Sequence, residues 1–134
     1  PTEYRTNSRG DIVDYRSDLY VVEVATGTWT NITNYTGSIV HSPNFLPGTD
    51  EILFASDAGG GERIHRGHLD LTASPPRLLN DSSSPAAGAR PSPDGEFVLN
   101  HGWGDLDVSA VDGSGRLTLL QNIGRGHPSW AISY

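Results

Sequence analysis

The apolar residues of this chain come in short runs, not in a helical stripe. Leu19-Tyr20-Val21-Val22-Glu23-Val24 is the clearest run. Ile52-Leu53-Phe54, Ile64 to Leu71, Phe97-Val98-Leu99, Leu106 to Val111 and Leu117 to Leu120 follow it. Runs of this length, rich in β-branched and aromatic residues, favour strands. Gly or Pro interrupts every window long enough to hold a stable helix, so none is predicted. Turn chemistry separates the runs at Thr26-Gly27, Pro47-Gly48, Gly59-Gly60-Gly61, Pro93-Asp94-Gly95 and Asp112-Gly113. The pattern predicts one all-β domain across the 134 residues.

The runs also repeat. Asp18 to Gly27 is followed by Thr28-Trp29-Thr30-Asn31-Ile32-Thr33, Arg63 to Leu71 by Pro76-Arg77-Leu78-Leu79, and Asp105 to Gly113 by Arg116 to Leu120. Their starts, at Asp18, Arg63 and Asp105, lie 45 and 42 residues apart. A second unit alternates with this one: Pro43-Asn44-Phe45-Leu46 before Glu51-Ile52-Leu53-Phe54, and Ala89-Arg90-Pro91-Ser92-Pro93-Asp94-Gly95 before Glu96-Phe97-Val98-Leu99. His127-Pro128-Ser129-Trp130-Ala131 opens a further copy. A period of about 40–45 residues holding four short strands is the mark of a propeller blade.

These residues resemble the TolB-type, WD-like β-propeller repeat family. Ser92-Pro93-Asp94-Gly95, Ser56-Asp57 with its glycine turn, Asp18-Leu19-Tyr20-Val21, Asn31-Ile32-Thr33 and Pro128-Ser129-Trp130 match its pattern in order. The resemblance implies about three four-stranded blades, permuted and incomplete as a ring. Blade one would take residues 1–36, blade two 37–82 and blade three 83–124, with the first strand of a further blade at 127–134. Tyr4-Arg5-Thr6 and a hairpin over 7–14 would open blade one. The middle copy departs from the pattern, with Arg66-Gly67-His68 where the first has Val21-Val22-Glu23; Pro91 stands where an aromatic is expected. The expected core is Leu19, Val21, Phe45, Ile52, Phe54, Ile64, Leu69, Phe97, Leu99, Leu106, Val108 and Trp130. An incomplete ring would need more chain or self-association.

Charge narrows the partners. Nine cations, all Arg, against sixteen carboxylates give a net charge of −7, which speaks against a nucleic-acid binder. There is no Cys, hence no disulfide and no thiolate chemistry. No apolar run reaches the length of a membrane span. The chain starts at Pro1 without a signal peptide, which suggests a processed or trimmed product. An extracytoplasmic place, periplasmic or secreted, is expected.

Candidate chemistry is sparse. The nucleophile-elbow motif Gly-x-Ser-x-Gly does not occur. Gly59-Gly60-Gly61 lacks the Lys and the helix of a phosphate loop. His65 and His68, three apart on a strand, point to opposite faces, a poor chelating pair read as surface residues. His41 and His127 flank two inner strands and are the weak metal candidates; no cofactor is expected. With Asn44, Arg90 and Ser129 they make the most polar set near the predicted channel. Trp103 is the best candidate for an exposed contact. Asp105 and Asp107 share a face and read as exposed turn carboxylates. Asn31, Asn34 and Asn80 open glycosylation sequons, with Asn34 and Asn80 expected in loops. The leading expectation is a non-catalytic scaffold holding a protein or glycan partner, with Asn44, Arg90, Trp103, His127 and Ser129 as contacts. A metal-dependent, glycan-acting lyase and a structural subunit of a ring or filament are the alternatives.

Overall fold

The computed structural model describes residues 2–6, 8–35, 37–58, 60–84, 89–101, 104–123 and 129–131, with backbone alone for 2–5, 12–15 and 80–84. Among them there are twelve strands and no helix. All pairings are antiparallel, and no sheet closes on itself. No helix among the described residues is long and apolar enough to cross a membrane.

Two sheets are four-stranded meanders. The first runs β5 (Val40–Phe45), β6 (Glu51–Ser56), β7 (Arg63–Asp70), β8 (Arg77–Ser84); the second runs β9 (Ala89–Pro91), β10 (Phe97–His101), β11 (Leu106–Ala110), β12 (Leu117–Leu120). Their first hairpins are built alike. Leu46 N–H donates to Glu51 O and Ser92 N–H to Phe97 O, while Thr49 N–H reaches Leu46 O and Gly95 N–H reaches Ser92 O. Gly48 and Gly95 supply the positive φ each turn needs. Thr49 Oγ1 accepts from Glu51 N–H, and Asp94 Oδ1 accepts from Glu96 N–H.

The first unit is smaller and split. β1 (Thr2–Thr6) pairs with β2 (Ile12–Ser17), and β3 (Tyr20–Glu23) pairs with β4 (Thr28–Asn31). β1 and β2 form a hairpin that turns at Ser8-Arg9-Gly10, within the hairpin expected over 7–14, and its second strand runs on to Ser17. The break falls at Asp18-Leu19, where the chain bonds a loop instead of a strand. Buried Asp18 accepts from Thr33 Oγ1 and Tyr35 N–H, Leu19 N–H donates to Thr33 Oγ1, and Ile32 N–H donates to Leu19 O. In the third unit Asp105 likewise accepts from Asn122 N–H at 3.1 Å. The separation is seventeen residues in both cases, so the repeat in sequence is also a repeat in hydrogen bonding.

The units stack. One apolar cluster joins Leu19, Ile32 and Tyr35 of the first unit to Val40, Ile52, Phe54 and Leu78 of the second. Another joins Leu46, Leu53, Ala55 and Ile64 of the second to Ala89, Val98 and Val111 of the third. Alternation along β6 sends Ile52 and Phe54 to one side and Leu53 and Ala55 to the other, and all four are buried. The middle sheet is therefore covered on both faces. The segment 38–40 fastens the first two units: Ser17 exchanges hydrogen bonds with Val40 through its hydroxyl, while Asp57 accepts from Ile39 N–H at 2.7 Å.

Several core expectations hold and others fail. Leu19, Ile52, Phe54, Ile64, Leu69 and Leu99 are buried. Val21, Leu106, Val108 and Trp130 are half-buried. Phe45 and Phe97 are 58% and 44% exposed, because Phe45 sits at the turn end of β5 and Phe97 at the turn end of β10. Leu46 and Val98, one position on from each, are buried in their place. His65 is buried, not on the surface. Its ring stacks on Phe54 at 5.1 Å between centroids and lies 5.8 Å from Tyr35. Asp107 is buried as well, held by Arg116.

Candidate functional site

Of the polar set expected near a channel, Asn44 and Arg90 meet where the first strands of the two large sheets lie side by side. β5 carries a bulge: His41 pairs with Ala55 and Asn44 with Leu53, so Ser42 and Pro43 together oppose Phe54. Pro43 lacks the N–H a regular strand would use there, and Ser42 takes a φ of 54°. The bulge aims Asn44 across the sheet boundary. Its Nδ2 donates to Ser42 O at 2.9 Å and to Ala89 O, on β9, at 3.0 Å. Its Oδ1 accepts from Arg90 Nη1 at 2.9 Å. Asn44 and Arg90 thus tie the second and third units together.

Trp130 joins them from the C-terminal side. Its indole Nε1 donates to Arg90 O at 2.8 Å. This contact is absent from the sequence reading, which treats Trp130 only as a core aromatic. Pro43 in β5 was the local signal for the bulge that redirects Asn44; the Trp130 bond spans forty residues and has no local signal. Ser129, beside Trp130, is exposed. A guanidinium has five N–H donors, of which Asn44 takes one, and its planar fork suits a carboxylate or paired hydroxyls.

His41 stands apart, at the far end of β5. Its Nε2 is 3.0 Å from Glu62 Oε1, and its Nδ1 lies 3.0 Å from Ser42 Oγ. Among the described residues, no group of three or more His, Asp or Glu is placed to hold a metal. His127 and Trp103 lie outside the described residues.

The remaining candidates are dispersed. Asn31 is engaged, with Oδ1 accepting from Thr33 and Asn34 N–H and Nδ2 donating to Tyr20 Oη at 3.4 Å. Asn34 is exposed in a loop with a φ of 46°. Asn80, expected in a loop, falls within β8. Asp112 accepts from Ser114 N–H at 2.8 Å, a local turn as expected.

The titratable groups with displaced pKa values support the fold. Burial, then the charge of Arg63, holds His65 below its ordinary value. Burial pushes Asp107 up, but hydrogen bonds from Thr118 and Arg116 outweigh it and hold the carboxyl below its ordinary range. Both lie on faces packed between sheets, away from the Asn44–Arg90 edge. No protein-family model matches the sequence, and no curated protein matches it.

Proposed function

We propose that this chain is a segment of a TolB-like β-propeller that acts as a non-catalytic scaffold and holds a protein or glycan partner along the inner edge of its stacked sheets. The reading draws on the repeat and on the stacking of two four-stranded meanders with a smaller first unit. The single observation that carries it is the Asn44–Arg90 link, which sets an Arg side chain beside two adjoining first strands. Ser129 borders this edge, and His127 and Trp103 complete the contact set in this reading. The net charge of −7 selects neutral or basic partners for the wider surface, with Arg90 as a local site for an acidic or hydroxylated group.

The test is a printed array of neutral and acidic oligosaccharides together with basic and neutral peptides. The chain, Arg90→Ala and Asn44→Ala are applied in parallel. The expected result is binding to a defined probe class, weakened at least about tenfold by Arg90→Ala, a loss typical of an interfacial Arg. Equal binding by all three proteins, or cleavage of any probe by the chain, would overturn the reading.

A further inference from the structure

Arg9-Gly10-Asp11 reads as a cell-adhesion tripeptide, and the fold sets it at the tip of a hairpin. β1 and β2 pair antiparallel as a two-stranded sheet of their own. The base of this hairpin is fastened to the segment that leads into the middle sheet. Ser17 N–H donates to Ser38 O, and the Ser17 hydroxyl exchanges hydrogen bonds with Val40. Thr2 pairs with Ser17 at that base, so the chain enters the hairpin far from its tip. From Ser17 the strand runs back to Ile12, which pairs with Thr6 beside the turn. Strand rise makes this roughly 16 Å between the fastened base and the turn. Ser8, Arg9, Gly10 and Asp11 are all exposed.

The turn suits a partner that reads both charges. Gly10 has a φ of 83°, in the left-handed region that favours glycine. Among the described residues, no atom lies within 4 Å of the place its Cβ would take. The backbone between the guanidinium and the carboxylate is therefore open to close approach. Arg9 and Asp11 are two residues apart, at most about 7 Å between Cα atoms. A guanidinium pairs with a carboxylate through two parallel N–H bonds. A carboxylate takes an open position on a hard divalent cation. One crevice holding such a cation beside an acidic side chain would engage both charges at once.

We infer that the turn at residues 8–11 is a docking site for a metal-dependent cell-surface adhesion receptor, whose divalent cation takes the Asp11 carboxylate and whose acidic side chain takes the Arg9 guanidinium. The turn belongs to the first unit, whereas the Asn44–Arg90 edge joins the second and third. The inference thus goes beyond the binding role of that edge and does not rest on it.

Surface plasmon resonance tests it. The chain is passed, in manganese buffer, over immobilised ectodomains of adhesion receptors that take linear Arg-Gly-Asp peptides. Saturable binding is expected, abolished by EDTA and competed by the peptide Gly-Arg-Gly-Asp-Ser but not by Gly-Arg-Gly-Glu-Ser. Asp11→Glu keeps the charge and moves the carboxylate by one methylene, and Arg9→Ala removes the guanidinium; each is expected to weaken binding at least about tenfold. Far-UV circular dichroism and urea midpoints matching wild type establish that the variants keep the fold. The peptide competition reads the same chemistry on the unaltered chain. No binding to any of the receptors, binding that persists in EDTA, or equal binding by folded Asp11→Glu would overturn the inference. Array binding without receptor binding overturns this inference alone, and receptor binding without array binding overturns the scaffold reading alone.

Discussion

Phe54→Ala offers the sharpest test of the packing. The ring is fully buried, at 0% exposure, between the first unit and the middle sheet. It stacks on His65 with planes 15° apart and meets Tyr35 at 6.3 Å. Burying a Phe side chain is worth about 1.5–3 kcal/mol. Its ring contacts contribute about 0.5–1.5 kcal/mol more, and the hole cannot collapse easily between two sheets. The expected loss is about 3–5 kcal/mol, a large share of the 5–15 kcal/mol typical of a domain, taken as roughly the total here. Phe45→Ala is the control, since Phe45 is 58% exposed; it should change stability by no more than about 0.5 kcal/mol. Urea unfolding followed by circular dichroism at low protein concentration reads both. A Phe54→Ala loss below about 1 kcal/mol, well under the core range, would refute the packing, as would equal losses at the two positions.

Two further outcomes follow from the middle and third sheets. Gly67→Ala would set a Cβ 2.6 Å from Leu78 Cδ1, so the half-buried Leu78 side chain must turn aside, at a cost of about 1 kcal/mol, the low end of overpacking; a stabilised variant in urea would contradict that geometry. Both His65 and Asp107 have pKa values lowered in the fold, so the unfolded chain binds protons more readily and acid destabilises. Stability linked to His65 is complete above its ordinary 6.5 and declines as pH falls below it; that of Asp107 is complete above 3.8 and is lost as pH falls through its depressed value. Thermal midpoints should therefore fall from about pH 7 to about pH 5, and His65→Gln should flatten this part of the profile. An identical slope in the variant would remove His65 from the account.

The strand content was legible because strand chemistry is local. Short β-branched runs between Gly and Pro turns point to β-structure with or without neighbours. The hairpin at Ser92-Pro93-Asp94-Gly95 forms as its residues dictate, with Ser92 Oγ bonded to Asp94 and accepting from Phe97 N–H at 3.0 Å. Which of two adjacent apolar residues enters the core was not legible at Phe45-Leu46 or Phe97-Val98. A one-position change of register moves every side chain to the other face, and the bulge at Ser42-Pro43 makes such a change in β5. The Asn44–Arg90 edge was half legible. Both residues stood out as polar positions on inner strands, but their link spans forty-six residues and depends on how the sheets sit together.

The repeat explains why architecture can be read from this chain more readily than chemistry. One position holds Tyr20, His65 and Asp107 in successive units: an aromatic, an imidazole and a carboxylate. In the middle unit the neighbouring sheet supplies rings, and His65 settles against Phe54 and Tyr35 with its charge disfavoured by burial. In the third unit, strand β12 and its preceding turn bring Thr118 and Arg116 to Asp107, whose charge is retained inside the stack. In the first unit no preceding sheet among the described residues covers Tyr20, and an amphipathic ring suits that half-open place. What the repeat holds constant is the alternation that sends this position toward the previous unit. What each unit places there answers to its own neighbours, and those neighbours come from distant parts of the chain. Spacing therefore carries the fold forward from unit to unit, while residue identity follows the interface each unit happens to meet. Tyr20 and Leu106 differ from their repeat partners in the one property that spacing leaves open, their exposure: both are half-buried where Leu19, Ile64, His65 and Asp107 are buried.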